Sequence, residues 1–401
     1  MAKRDRNSLS YIKCTPSYFD LVDRNSGFYK SDMRGFYIMF TLISSGYIAI
    51  TAYVKFVTKG ILFEDSYLQK MLQDFFVVSL IWPGIFCYSW LAYFLQLLII
   101  KGFPLKVANI LQHFSQSLMF IAASHLTLAR NWGLTQTSFA TMLALVHFMK
   151  MHSYTMVNRD LRELALENPG KSEYPQNVNA KNFLIFMVTP ALVYQTSYPK
   201  IPKFRLSYFL QKLVLLIVQL DMEYIIASDH ILPIINMSNV LPLTEVFSRL
   251  VIPCLIFYIM IFLIIFEQIL NLFAEMSLFG DREFYSDWWN STTFEEFNRK
   301  WNRTVHLFLH KHVYLECLQR YQLSENTSKF ITFFFSACCH EMVLALICRD
   351  IKPYLMLLMI FQIPVMLFQK YLNRTLFGLY FVWGSMMVGL PLLLSLYSKG
   401  L

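Results

Sequence analysis

The sequence predicts an all-α protein that crosses a bilayer several times, and three observations carry that prediction. Hydrophobic residues make up 56% of the 401 and charged residues only 15%, with a mean hydropathy of +0.43, outside the range of soluble globular chains. The apolar residues fall in runs of about 20, the length a helix needs to cross hydrocarbon. Arg and Lys collect in alternate gaps between those runs.

Taken in order, the first run is Phe36–Val57. It is expected to serve as the insertion signal, because MAKRDRNSLSYIKC lacks the apolar core of a cleavable leader. Phe75–Ile100, Ile110–Ala129 and Leu134–Val157 follow across short polar gaps. Leu206–Ser228 and Val246–Leu272 flank Asp229–Glu245, a connection without a single Lys or Arg. Ser328–Cys348, Tyr354–Leu372 and Leu376–Tyr397 are the remaining runs, which gives about nine predicted spans.

Basic residues orient these spans. With Lys3, Arg4, Arg6, Lys13, Arg24, Lys30 and Arg34 in the cytosol, that side also receives Lys101 and Lys106, the loop Asn158–Arg205, the loop after Leu272, and Lys370 with Arg374. The net charge of +9 therefore reads as topology and attraction to anionic lipid, and not as nucleic-acid binding. The seven cysteines show no CxxC spacing, and a bridge between the adjacent Cys338 and Cys339 would be strained, so they read as small packing residues.

Two excursions interrupt the apolar pattern. Within 158–205, the stretch NFLIFMVTPALVYQTSYPKIP is broken by Pro190, Pro199 and Pro202 and reads as a re-entrant or interfacial segment. The loop 273–327 is crowded with aromatic and charged residues. In its second half Phe297, Trp301, Val305, Phe308, Leu309 and Val313 recur at helical spacing, which predicts one amphipathic helix with Asn302 and His306 a turn apart on one face.

FYSDWWN, residues 284–290, admits two readings. Trp and Tyr gather at headgroup depth, so an aromatic belt is the plainer one. Asp281, Arg282, Glu283, Asp287 and Asn290 interleave with the rings, which points instead to a satisfied polar network. Arg299, Lys300, Arg303 and Lys311 are each ordinary solvated cations; together they make a basic surface beside aromatics, suited to a polyanionic ligand that carries a ring, such as a nucleotide or coenzyme A. His306, His310 and His312 invite a metal, but the second dense histidine cluster of membrane desaturases is missing, and His340-Glu341 lacks the second histidine of HExxH. No metal site is expected.

The sharpest signal is FSACCHEMVLAL, 335–346, where His340 and Glu341 interrupt an apolar run. An ionisable side chain at the centre of a membrane helix costs roughly 2.5–3.5 kcal/mol on insertion scales, so it marks a functional site by default. A buried histidine bonded to a neighbouring helix is the plainer reading. Ser336 lies one turn before His340 on the same face, while Ala337, Glu341 and Ala345 form a second stripe that lets a partner helix come close. A neutral imidazole in apolar surroundings, with a polyanion site on the cytosolic side, suits acyl transfer from a thioester to a lipid hydroxyl. The imidazole takes the alcohol proton, an amide such as that of Asn302 steadies the oxyanion, and a dry site spares the thioester from water.

These residues resemble the membrane-bound O-acyltransferase superfamily, within it the branch of sterol and diacylglycerol O-acyltransferases. The carriers are FYSDWWN, similar to that branch's FYxDWWN signature, then Trp301-Asn302 with His306, and SACCHE at 336–341, in matching order. KMHSY at 150–154, LVYQTSYP at 192–199, Arg205 and Tyr208 resemble the fungal sterol enzymes, whereas DREFYSDWWN is also close to the diacylglycerol form. The resemblance implies a fold of about nine helices around a reaction chamber, with a cytosolic segment 1–34 and a catalytic domain 35–401. It implies His340 and Asn302 as catalytic residues. Phe284, Tyr285, Asp287, Trp288, Trp289, Asn290, Arg299, Trp301, His306, Tyr314 and Ser336 would form the acyl-CoA site. Family members often carry a lysine about eleven residues before the position of Ser336; Glu325 stands there, with Lys329 one turn on. The implied reaction moves a long-chain acyl group from acyl-CoA, a cosubstrate, to a sterol 3-hydroxyl for storage as steryl ester, with diacylglycerol as the alternative acceptor. No permanently bound cofactor is implied. The protein would reside in the endoplasmic reticulum membrane as a homodimer or higher homo-oligomer. A cytosolic acyl-CoA site also predicts that the triplets at Asn290 and Asn302 carry no glycan.

Overall fold

The computed structural model describes residues 11, 13–24, 26–60 and 65–398. Lys3, Arg4, Arg6 and most of the stretch expected to lack a leader lie outside them. Fifteen α-helices follow one another among the described residues: α1 (Arg34–Lys59), α2 (Asp65–Met71), α3 (Phe75–Ile100), α4 (Leu105–Ala129), α5 (Leu134–Glu167), α6 (Ala180–Val188), α7 (Leu206–Ile225), α8 (Leu232–Asn236), α9 (Leu243–Phe262), α10 (Leu270–Met276), α11 (Phe294–Trp301), α12 (Arg303–Leu309), α13 (Glu325–Cys348), α14 (Tyr354–Gln369) and α15 (Leu376–Ser398). Extended structure among these residues is limited to two isolated bridges, Thr15 with Asp281 and Lys200 with Phe279.

The chain is a multi-pass helical membrane protein. All nine apolar runs are helical, and six stretches are both long and apolar enough to cross a bilayer: Arg34–Lys59, Leu68–Ile100, Leu243–Met276, Glu325–Cys348, Tyr354–Leu372 and Leu376–Ser398. The other three predicted spans fall in α4, α5 and α7. These helices carry buried polar side chains, including Gln112, Gln116, His147, Lys150 and Lys212, which lower their apolarity without exposing charge.

Contacts divide the chain into two compact units. Of the described residues, the first comprises Tyr11, Lys70–Pro199 and Thr304–Met356. In it α3, α4 and α5 pack together, and Ala92 of α3 and Ala140 and Ala144 of α5 are essentially fully buried, as expected where small residues let helices approach within a membrane. The segment read as re-entrant or interfacial packs into the protein interior: Phe183, Phe186, Met187, Val193 and Tyr194 are all buried. Its prolines do break the helix after Val188, but the broken end is secured from α5. The buried Lys150 ammonium donates to the carbonyls of Phe186 (2.7 Å), Met187 (3.1 Å) and Thr189 (2.6 Å), satisfying the open C-terminal carbonyls of α6. Ser153 accepts the Tyr194 amide at 2.8 Å and lies 2.7 Å from His312 Nε2. KMHSY and LVYQTSYP are therefore two halves of one packed scaffold.

The second unit comprises Lys13–Gln69, Lys200–Arg303 and Leu357–Leu401. Its centre is ionic. Glu267, fully buried in a π-helical turn at Leu263–Ile269, accepts from Ser17 Oγ (2.7 Å), from Tyr285 Oη (2.6 Å) and from Lys212 Nζ. Glu275, also fully buried, pairs with Arg205 (3.1 Å) and Arg282 (2.5 Å), and Arg205 reaches the buried Asp20 (3.4 Å). Tyr208 donates to Asn271 (2.9 Å). Removing one partner of such a buried pair leaves an uncompensated charge and costs about 3–5 kcal/mol, whereas replacing both by apolar residues is often neutral. Glu267→Leu and Lys212→Leu alone are each expected to lower the thermal midpoint of detergent-solubilised protein markedly, while the double variant regains most of the loss. Additive losses in the double variant would contradict the pairing.

Candidate active site

FYSDWWN is built into the second unit by its backbone, its rings and its charges. The Arg303 amide donates to the Phe284 carbonyl (3.0 Å) and the Ser286 amide to the Lys300 carbonyl (2.9 Å), so the segment lies along α11 and ends in a 3₁₀ turn at Trp288–Asn290. Phe262, the last residue of α9, centres an aromatic cluster, with ring centroids 4.8 Å from Tyr285, 5.0 Å from Trp288 and 4.6 Å from Trp301. Trp301 also stacks on Tyr258 at 4.5 Å. Tyr285 is buried, and burial together with the facing Glu267 carboxylate raises its pKa well above the usual phenol value, so it stays a hydrogen-bond donor.

The charged residues of the segment form the expected polar network. Lys300 pairs with Asp287 (2.9 Å) and Glu296 (2.7 Å), and Arg303 pairs with Glu283 (2.6 Å). Partial burial works against the Lys300 ammonium, but its bonds to Glu296 and Asp287 outweigh it and raise the pKa. Trp289 is half-buried, and Asn290 and Arg299 are exposed. The C-terminal helices clamp the chain between Trp289 and Phe294: Trp383 donates to the Trp289 carbonyl (3.0 Å), Gln369 accepts the Phe294 amide (2.8 Å), and Thr292 Oγ1 accepts the Arg374 amide (3.0 Å). Gly378 makes that clamp possible, since a Cβ there would stand 2.5 Å from the Leu372 carbonyl oxygen and 2.8 Å from that of Thr292.

The single amphipathic helix predicted over 297–313 is not formed. α11 stops at Asn302, whose φ of −137° and ψ of 82° are non-helical, and α12 starts afresh at Arg303 before passing into π-helical turns at His310–Tyr314 and Glu316–Arg320. The spacing is helical on both sides of Asn302, so periodicity alone could not find the break. π turns of this kind are frequent at functional sites. Asn302 is half-buried.

The remaining candidates lie in the first unit. His306 is half-buried with its ring 6.2 Å from that of His310, which is 5.3 Å from the ring of the buried Tyr314. Glu341 is buried on α13, and its carboxylate accepts the Met356 amide in the first turn of α14 (2.8 Å), a cap supplied by a neighbouring helix. Lys329 pairs with the exposed Glu325 at 2.8 Å.

His340 is exposed, and its Nδ1 lies 2.8 Å from the main-chain oxygen of Ser336. A carbonyl only accepts, so Nδ1 carries the hydrogen and Nε2 of the neutral ring keeps the lone pair. Among the exposed apolar residues of α13, Phe335 and Met342 lie about 140–160° round the helix from His340 at helical spacing, Phe334 about 120° and Phe330 about 80°.

Reading by motif missed the ionic centre of the second unit. The signal was available: Glu267 and Lys212 interrupt apolar runs just as His340 does, and Glu267, Asn271 and Glu275 recur every fourth residue, facing Arg205, Tyr208 and Lys212 at similar spacing.

A multi-pass helical membrane protein with an imidazole exposed on a span and an aromatic, ion-paired surface loop is the class these features define. A family model described as MBOAT, membrane-bound O-acyltransferase family, matches residues 105–399, and the chain belongs to that family. It is similar to the probable sterol O-acyltransferase 1 of Schizosaccharomyces pombe, at 26% identity over 96% of this chain and 85% of the relative. Probable sterol O-acyltransferase 2 of the same organism is 28% identical over 96% and 90%. Diacylglycerol O-acyltransferase 1 of Corylus americana is 34% identical over 65% of this chain, a match that spans only 52% of that protein's length.

Gly378→Ala is expected to cost about 1–3 kcal/mol, the usual range for overpacking. The cost would be read as a lowered thermal midpoint accompanied by greater protease sensitivity around 288–294. An unchanged midpoint would show that the carbonyls of Leu372 and Thr292 move aside freely.

Proposed function

We propose that the protein is an acyl-CoA-dependent O-acyltransferase of the endoplasmic reticulum that transfers a long-chain acyl group to the 3-hydroxyl of a sterol. The observation that carries the chemistry is the His340 tautomer. With Nδ1 tied to the Ser336 carbonyl, Nε2 is free to take the proton of the acceptor hydroxyl as its oxygen attacks the thioester carbonyl. The Asn302 amide would donate to the oxyanion of the tetrahedral intermediate. Collapse of that intermediate breaks the C–S bond, and the departing thiolate takes the proton back from the imidazolium to leave as free coenzyme A. No acyl-enzyme is needed. The aromatic and ion-paired FYSDWWN segment, with Arg299, Trp301, His306, Tyr314 and Ser336, would hold the acyl-CoA.

Sterol is favoured as acceptor because both Schizosaccharomyces pombe relatives named as probable sterol O-acyltransferases align over 96% of this chain and most of their own length. The second reading, diacylglycerol O-acyltransferase, draws on the higher local identity of 34%. Purified enzyme supplied with labelled acyl-CoA and either acceptor separates the two, and the expected product is steryl ester. Predominant triacylglycerol would replace the first reading with the second, and hydrolysis or inertness with both acceptors would end both.

His340→Ala is expected to accumulate normally and lose about 10²–10⁴ in turnover, the usual contribution of general-base catalysis. Asn302→Ala should lose about 10²–10³, with acyl-CoA binding partly kept. Near-normal turnover of His340→Ala would remove the mechanism.

A further inference from the structure

An open cavity of about 630 Å³ lies at the N-terminal end of α1, lined by Arg24, Tyr29, Lys30, Arg34, Asp32 and Ile38 among others. Its volume is within the range of small-molecule sites, about 300–1,000 Å³. Three cations face it against one carboxylate. Among the described residues no ion pair engages Arg24, Lys30 or Arg34, whereas most basic side chains of the ionic centre are neutralised.

The walls are organised before any ligand arrives. Asp20 accepts the amides of Val22 and Asp23 at 2.9 Å each, Ser26 Oγ accepts the Tyr29 amide at 3.0 Å, and Ser31 Oγ donates to the Phe28 carbonyl at 2.9 Å. Phe28 is buried edge-on against Phe19 (4.9 Å) and Tyr37 (5.5 Å), which fixes the turn beneath the cavity. The Arg34 guanidinium lies over the Tyr29 ring at 4.7 Å and donates to its carbonyl at 2.9 Å. The 26-residue α1 has no side-chain cap and no acidic residue in its first turn, so the start of the helix adds to the positive potential.

Apolar surface adjoins this basic cavity. Ile38 lines it, and Phe36, Met39, Phe40, Leu42 and Ile43 continue from it as exposed side chains along α1, on which Ser44 is the one buried residue. A ligand with an anionic head and hydrocarbon tails matches both surfaces at once. We propose that this cavity binds the phosphate-bearing headgroup of an anionic membrane lipid, whose acyl chains lie along the exposed face of α1. None of the residues lining the cavity is assigned to acyl transfer, and the test reads lipid retention rather than turnover.

The test uses the full chain purified in neutral detergent and immobilised, with labelled phosphatidylinositol 4-phosphate as probe and phosphatidylcholine as the uncharged control. Each basic residue near an anionic lipid contributes roughly a fivefold gain in affinity, so Arg24→Gln/Lys30→Gln/Arg34→Gln should weaken retention on the order of a hundredfold. Lys101→Gln/Lys106→Gln, which removes cations elsewhere, should leave it within about twofold. The single variant Lys30→Gln, at an exposed side chain and therefore no threat to folding, should weaken it about fivefold. Millimolar inorganic phosphate should not displace the probe. Unchanged retention in the triple or single variant, equal retention of phosphatidylcholine, or displacement by inorganic phosphate alone would each overturn the assignment.

Discussion

The salt bridge between Lys212 and Glu267, sealed from solvent at both ends, is the constraint on which the second unit depends. A carboxylate or ammonium in such surroundings is tolerated only when it is paired and its remaining lone pairs or protons are hydrogen-bonded. Glu267 meets that demand by drawing in Ser17 from the N-terminal segment and Tyr285 from the aromatic loop. Glu275 and Asp20 extend the same logic through Arg205 and Arg282. Three carboxylates and three cations thus balance, and the ring of Tyr208 lies beneath all three cations at 4.2–5.2 Å. Satisfying those charges brings together three pieces of chain distant in sequence, 17–20, 205–212 and 267–285.

One consequence is that the aromatic loop inherits its rigidity from a network it hardly joins. Only Tyr285 touches Glu267 directly, yet its ring packs on Phe262, and Phe262 carries Trp288 and Trp301. The N-terminal turn that frames the basic cavity is tied to the same network through Asp20. Glu267 lies in the π turn at 263–269, and Asn271 and Glu275 follow it on the regular helix α10, so the stripe crosses a departure from regular helical hydrogen bonding.

Much of this was legible in the sequence for a simple reason: hydrocarbon thickness imposes a run length, so every predicted span proved helical. The interleaving of Asp287 and Asn290 with tryptophans announced a polar network because unpaired charges would not sit among rings. His340 and Glu341 stood out because each breaks an apolar run. The features that stayed hidden depended on partners far away in sequence. Nothing local in Lys150 says that its ammonium closes the end of a helix more than thirty residues on, and nothing in 183–194 says that those residues are core. The break at Asn302 was hidden differently, since residues on each side keep helical spacing and the tertiary bonds of Phe284 and Ser286 to 300–303 override it.

The two halves of the proposed machinery are held by unlike forces, and this bears on how such a protein tolerates change. The imidazole of His340 takes its tautomer from a carbonyl four residues back on its own helix, an acceptor that persists as long as α13 is helical. Its orientation is therefore a local property. Repacking neighbours alters access to Nε2 without altering which nitrogen bears the proton. The aromatic loop has no such autonomy, because its geometry is the outcome of buried ionic pairing, an aromatic stack and a glycine contact that leaves no room for a methyl group. Variation is thus free to accumulate around the loop only where the ionic centre is preserved, while the nitrogen proposed to react needs nothing more than its helix.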